Sequence, residues 1–191
     1  MSNNKRSGND VFSDGKSVAA GGHQTRNVLK DDFGLDIPTE LVPLPSNGKI
    51  YPPDSPLYGK SALEIRPMTA REEDILTSRA LIKKGTVITE LIRSCLIDKS
   101  IDPNKMISGD RNAVMTSLRI TGYGSDYSAE VACPACGEIS KQTFDLTQLP
   151  ITRLEENPIN DGTNAFEYTL PKTQKKIRFK FLDGTDEQEI N

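Results

Sequence analysis

SALEIRPMTAREEDILTSRALIKKGTVITELIRSCL (residues 61–96) decides the fold. Leu63 and Ile65 alternate with polar neighbours and Pro67 closes the run, which makes a short strand. Thr69 followed by Glu72 is a capping box, and Arg71-Glu72-Glu73-Asp74 is a first turn rich in acid that complements the helix dipole. Ile75, Leu76, Ala80 and Ile82 give this helix an apolar side, and Gly85 ends it. A second helix starts at Thr86. Its Val87, Ile88, Leu91, Ile92, Cys95 and Leu96 recur at the i, i+3, i+4, i+7 spacing of a buried stripe. Strand and helix signals within one short stretch point to an α+β domain.

C-terminal to this stretch, a third helix is expected from about Asp110 to Ile120, capped by Ser108 and stopped at Gly122 or Gly124. The period then changes from helical to alternating. DYSAEVA and EISKQTFDL flank CPACG (133–137) and read as a hairpin. AFEYTL (165–170) and KIRFKFL (176–182) read as a second one. DGTDEQEIN (183–191) has Thr185 with Gln188 three residues on and an acidic first turn, the start of a helix too short to be stable alone. The expected class is α+β: a small layer of about three helices plus antiparallel hairpins, one bearing a CxxC knuckle. No internal repeat is present.

N-terminal to residue 61 the composition shifts. Residues 36–58 hold six of the twelve prolines, so the chain there is extended and turn-rich. Asn47-Gly48 suits a two-residue hairpin turn, because both residues tolerate positive φ. Leu44, Ile50, Tyr51 and Tyr58 make residues 36–60 an apolar strap expected to bind partners. Residues 1–35 form a polar arm. In its first thirty residues only Met1, Val11, Phe12, Val18, Val28 and Leu29 are large and apolar. Burying those yields about 1.5–3 kcal/mol each, whereas ordering thirty backbones costs about 1–2 kcal/mol each. The arm is expected to be disordered until a partner supplies a surface. The compact domain is expected over residues 61–191.

The bulk composition excludes several classes. A net charge of −3 gives no general pull toward nucleic acid or acidic membranes. No apolar run approaches the ~20 residues of a membrane span. MSNNKRSGND lacks the apolar core of a secretory signal. Three cysteines and one histidine make neither a disulfide scaffold nor a catalytic triad. Nucleotide-binding glycine motifs are missing. Glu72, Glu73 and Asp74 are better read as first-turn charges than as an acid–base pair. Enzymatic function therefore has no support.

Cys133 and Cys136 have the spacing of half a tetrahedral zinc site, with Pro134 and Gly137 shaping the turn. Cys95 lies on an apolar helix stripe and reads as core; His23 lies in the arm. Two readings stay open, a zinc completed by ligands from a partner chain and a turn without metal. Redox chemistry is disfavoured, because a strand and not a helix follows the motif. Lys172, Lys175, Lys176, Arg178 and Lys180 form a basic cluster without a stacking set, so nucleic-acid binding by a zinc-ribbon-like regulator is the runner-up function. Arg119 and Tyr123, beside the third helix, are residue types favoured as interface anchors.

LPSNGKIYP (44–52), LEIRPMTAREEDILT (63–77), GDRNAVMTSLRITGYGSDY (109–127) and CPACG, taken in this order, resemble the baseplate hub and assembly protein family of T-even-type contractile-tail bacteriophages. RPMTAREEDILT is the most specific block, and the similarity runs from about Leu44 to Phe181. The resemblance implies a structural subunit or assembly factor of the virion tail baseplate, present in host cytoplasm during assembly. Its partners would be other baseplate or tail proteins, in a homo- or hetero-oligomer, with no catalytic residues. The cysteine pair matches the family pattern, and similar proteins continue past the acidic segment near Asn191.

Overall fold

The computed structural model describes residues 38–190. The arm, with its expected disorder, and His23 lie outside the described residues. The class is α+β, with five helices and three two-stranded antiparallel sheets among the described residues.

Strand β1 (Glu40–Pro43) pairs with β2 (Ala62–Ile65), Val42 opposite Leu63. Alternation puts Val42, Leu63 and Ile65 inward and Leu41 and Glu64 outward. The chain between the two strands is not a free strap. Leu44, Ile50, Tyr51 and Leu57 are buried in the same core as β2 and the helices. Asn47-Gly48 does turn the chain, with φ of 51° and 71°, but inside a compact loop and not at a hairpin tip. The loop closes tightly there: a Cβ on Gly48 would stand 2.4 Å from the Lys60 amide nitrogen. Residues 38–60 and the helices C-terminal to them therefore share one core, and the strap is one wall of the domain.

The capping box forms as expected at the start of α1 (Ala70–Thr77). The expected single helix then breaks. Thr77 Oγ1 donates back to the Glu73 and Asp74 carbonyls, and Ser78 turns extended at ψ 106° before α2 (Arg79–Lys84). Hydroxyl side chains offer the backbone such alternatives to helix continuation. Helix α3 (Val87–Cys95) buries Leu91, Ile92 and Cys95, the predicted stripe, while Ile88 stays partly exposed. Helix α4 (Ser108–Tyr123) begins two residues earlier and runs three residues further than the sequence suggested, and it buries Val114 and Leu118.

Three polar clusters fasten these elements. Glu72 is fully buried and accepts from Arg66 Nη2 at 2.7 Å, Arg66 Nη1 at 3.1 Å, Thr69 N at 2.9 Å, Thr69 Oγ1 at 2.7 Å and the Ser94 hydroxyl. This one carboxylate joins the end of β2, the start of α1 and α3. Asp110 is equally buried and accepts from Ser46 N, Ser46 Oγ and Tyr51 Oη at 3.0, 2.6 and 2.7 Å. It ties the strap to the first turn of α4, where a negative charge also suits the helix dipole. Helix α5 (Gly184–Ile190) is the expected C-terminal helix. Arg111 Nε meets Glu187 Oε2 at 3.3 Å, and Gln188 Nε2 donates to Asn104 Oδ1 at 3.1 Å. These contacts supply what a helix of this length lacks by itself.

Both expected hairpins are present. Strand β3 (Asp126–Ala132) pairs with β4 (Ile139–Asp145), and β5 (Phe166–Thr169) with β6 (Lys176–Phe179). Phe166 is buried and roots the second hairpin, its ring 5.5 Å from Phe179 and 5.1 Å edge-on from Phe181. Almost every residue of the first hairpin is exposed.

Candidate functional site

A two-stranded hairpin is marginal in water, and one with both faces solvated has nothing of its own to pack on. Register assigns the faces of β3–β4. Tyr127 stands opposite Phe144, with Ala129 and Val131 on the same side. Tyr127 is 46% exposed and Phe144 47%. On the other side Ser128 and Thr143 share a hydroxyl–hydroxyl hydrogen bond of 2.9 Å, and Glu130 faces Lys141. The second face is mainly polar, although Asp126 also stands opposite Asp145 and Ala132 opposite Ile139 on it; on the first, the exposed pair Tyr127–Phe144 and Val131 stand beside Gln142 and Ser140. The second hairpin repeats the pattern: Tyr168, Ile177 and Phe179 are exposed on the face that Phe166 anchors. Opposite them Glu167 meets Lys176 at 3.0 Å and Arg178 at 3.7 Å, while Lys180 meets Asp186 at 2.7 Å. Two carboxylates thus face three of the five residues of the basic cluster.

Arg119 and Tyr123 lie at the root of the first hairpin. Arg119 donates to the Gly124 carbonyl at 2.9 Å and to the Asp126 carbonyl at 3.3 Å, and its guanidinium sits 5.2 Å from the centre of the Tyr123 ring. The Tyr123 ring is 53% exposed. These two residues hold the end of α4 against the first residue of β3 and continue its open surface. Tyr58 is also exposed, its hydroxyl donating to Asp161 Oδ2 at 2.6 Å.

The remaining candidate contact residues are elsewhere. Leu44, Ile50 and Tyr51 are buried within the chain, so their apolar surface is not available to a partner. Burial, then the neighbouring Asp110 charge, push the Tyr51 hydroxyl well above its ordinary value and keep it a donor. Asp110 and Arg111, in the first turn of α4, are buried structural groups. Sequence reasoning missed Tyr127, Val131, Phe144, Tyr168, Ile177 and Phe179. The available signal was their shared parity on each hairpin; that they stay exposed is visible only in the fold.

At the tip of β3–β4 Cys133 is half-buried and Cys136 exposed, both free thiols; Cys95 is in the core as expected. A cleft of about 380 Å³ between β1 and α4 is lined by Val42, Pro45, Ala113, Ile120, Leu149 and neutral polar neighbours. No titratable side chain lines it, so it offers no acid–base chemistry. Burial would raise the Glu72 carboxyl, but its hydrogen bonds from Arg66, Ser94 and Thr69 outweigh that and hold it well below the usual carboxylate range. A carboxylate so fully satisfied is a structural anchor and not a proton shuttle. Among the described residues, no helix is long and apolar enough to cross a membrane.

The family model described as T4 bacteriophage base plate protein matches residues 38–190. Neither the curated proteins nor the solved structures contain a match to the chain.

Proposed function

Since the chain belongs to the T4 bacteriophage base plate protein family, we propose that it is a non-enzymatic structural subunit or assembly factor of a contractile-tail baseplate hub. It acts through protein–protein contacts with other tail proteins. The observation that carries this reading is the pair of hairpins whose apolar faces, Tyr127–Phe144 and Tyr168–Ile177–Phe179, find no cover within the chain's own described fold. Exposed apolar area of this kind, bordered by polar residues, marks interaction surfaces on folded domains. Such a role needs no catalytic group: a rigid core presents the surface and partners fill it.

The polar, weakly apolar composition of residues 1–35 suits a second means of contact, since a segment of that composition can wrap a partner's surface. Hydrogen exchange tests the hairpin surfaces directly. Amides of β3–β4 and β5–β6 are expected to exchange faster in the free protein than in baseplate intermediates isolated from infected cells. Equal rates in the two states would overturn the role of the hairpins.

A further inference from the structure

The tip of β3–β4 carries two thiols on a backbone already shaped around them. Gly137 N–H donates to the Cys133 carbonyl and Cys133 N–H to the Glu138 carbonyl, both at 2.8 Å. Gly137 has φ 75°, which lets the chain turn back into β4.

Two thiolates three residues apart fill two of the four tetrahedral positions that zinc requires. Among the described residues no third His, Cys, Asp or Glu joins the pair. Cys95 lies in the core on α3, its thiol pushed up to about 11 by burial. The missing half must come from outside the described chain. A second copy provides it with no further residue type: two identical tips about a twofold axis bring four thiolates to one point. Ile139, three residues past Cys136, is 66% exposed, so joining two tips also covers apolar surface.

The geometry points to Cys133 and Cys136 as half of a tetrathiolate site for zinc, or another soft divalent cation, closed by the same pair from a second copy of this chain. On binding, each thiol gives its proton to solvent and each sulfur donates a lone pair; no electron is transferred. The site depends only on the hairpin tip and stands apart from the baseplate role, so either can fail alone.

The test uses the full chain, stripped with a chelator and titrated with Zn²⁺ or Co²⁺. Expected are one metal per two chains, a doubling of particle mass that chelator reverses, and a Co²⁺ spectrum with the charge-transfer intensity of four thiolates. Cys133→Ser and Cys136→Ser are each expected to abolish binding while leaving the unfolding midpoint in chelator unchanged, since the tip lies outside the core. One metal per monomer, or no binding by the wild-type chain, would overturn the inference.

Discussion

The Tyr51 hydroxyl donates to Asp110 Oδ2 at 2.7 Å and accepts the Ile107 amide at 3.1 Å, across 59 residues of sequence in the first case. This bond fixes a proline-rich segment against the start of α4 and makes a wall of what composition suggests is a strap. Tyr51→Phe keeps the ring and removes both interactions. Leaving buried partners unsatisfied costs about 1–3 kcal/mol. The variant is expected to lower the urea midpoint without changing the slope of the transition. An unchanged midpoint would mean that the strap is held by packing alone.

Leu44 and Tyr127 separate structure from contact. Leu44→Ala opens a cavity in the core and is expected to destabilise by about 2–5 kcal/mol. Tyr127→Ser alters an exposed position and is expected to stay within about 0.5 kcal/mol of wild type. Thermal unfolding of the two variants checks the assignment. A reversed order would return Leu44 to the surface and place Tyr127 in a packed interior.

Glu72 predicts the acid limb of stability. Its folded carboxyl titrates below the ordinary value of 4.5, so the unfolded chain takes up the proton first. Its contribution is present above that ordinary value and is lost as pH falls through the folded one. Glu72→Gln breaks a buried ion pair with Arg66, at a cost on the order of 3 kcal/mol near neutrality. It should also flatten the loss of stability below about pH 4.5. Urea midpoints across acid pH measure both effects; an acid slope identical to wild type would show that Glu72 titrates normally.

The three cysteines should divide by alkylation. In chelator, native protein is expected to take iodoacetamide at Cys133 and Cys136 and to leave Cys95 unmodified, because Cys95 is buried and its thiol is pushed up to about 11. Denaturation should release the third site. Intact-mass spectrometry reads the adducts, and labelling of native Cys95 at a comparable rate would place it outside the core.

The parts of this fold that are legible in sequence are local. The capping box of Thr69 and Glu72, the stripe of α3 and the alternation of both hairpins each depend on residues within a few positions of one another. The illegible parts depend on long separations. Ser46 bonds Asp110 across 64 residues, and nothing in VPLPSNGKIYP marks that serine as buried. Leu44, Ile50 and Tyr51 read as surface because prolines surround them, and no local signal announces the β1–β2 pairing that encloses them. The contact surface escapes the sequence for a related reason. Alternation identifies the two faces of a hairpin, but only the folded arrangement shows that Tyr127 and Phe144 remain uncovered. The cysteine spacing is legible, and so is the place of Cys95 in the core, which its position on the α3 stripe announces.

The most direct measurement is the amount of this chain in isolated tail baseplates and their assembly intermediates, for wild type and for the double variant Tyr127→Ser/Phe144→Ser. Quantitative mass spectrometry is expected to find the wild-type chain in at least one of these particles. The double variant should fold with an unchanged unfolding midpoint yet be depleted about tenfold or more, as the loss of about 1.4 kcal/mol or more of contact energy requires. Incorporation of the double variant at the wild-type level, or absence of the wild-type chain from every particle, would contradict a baseplate role carried by the hairpins.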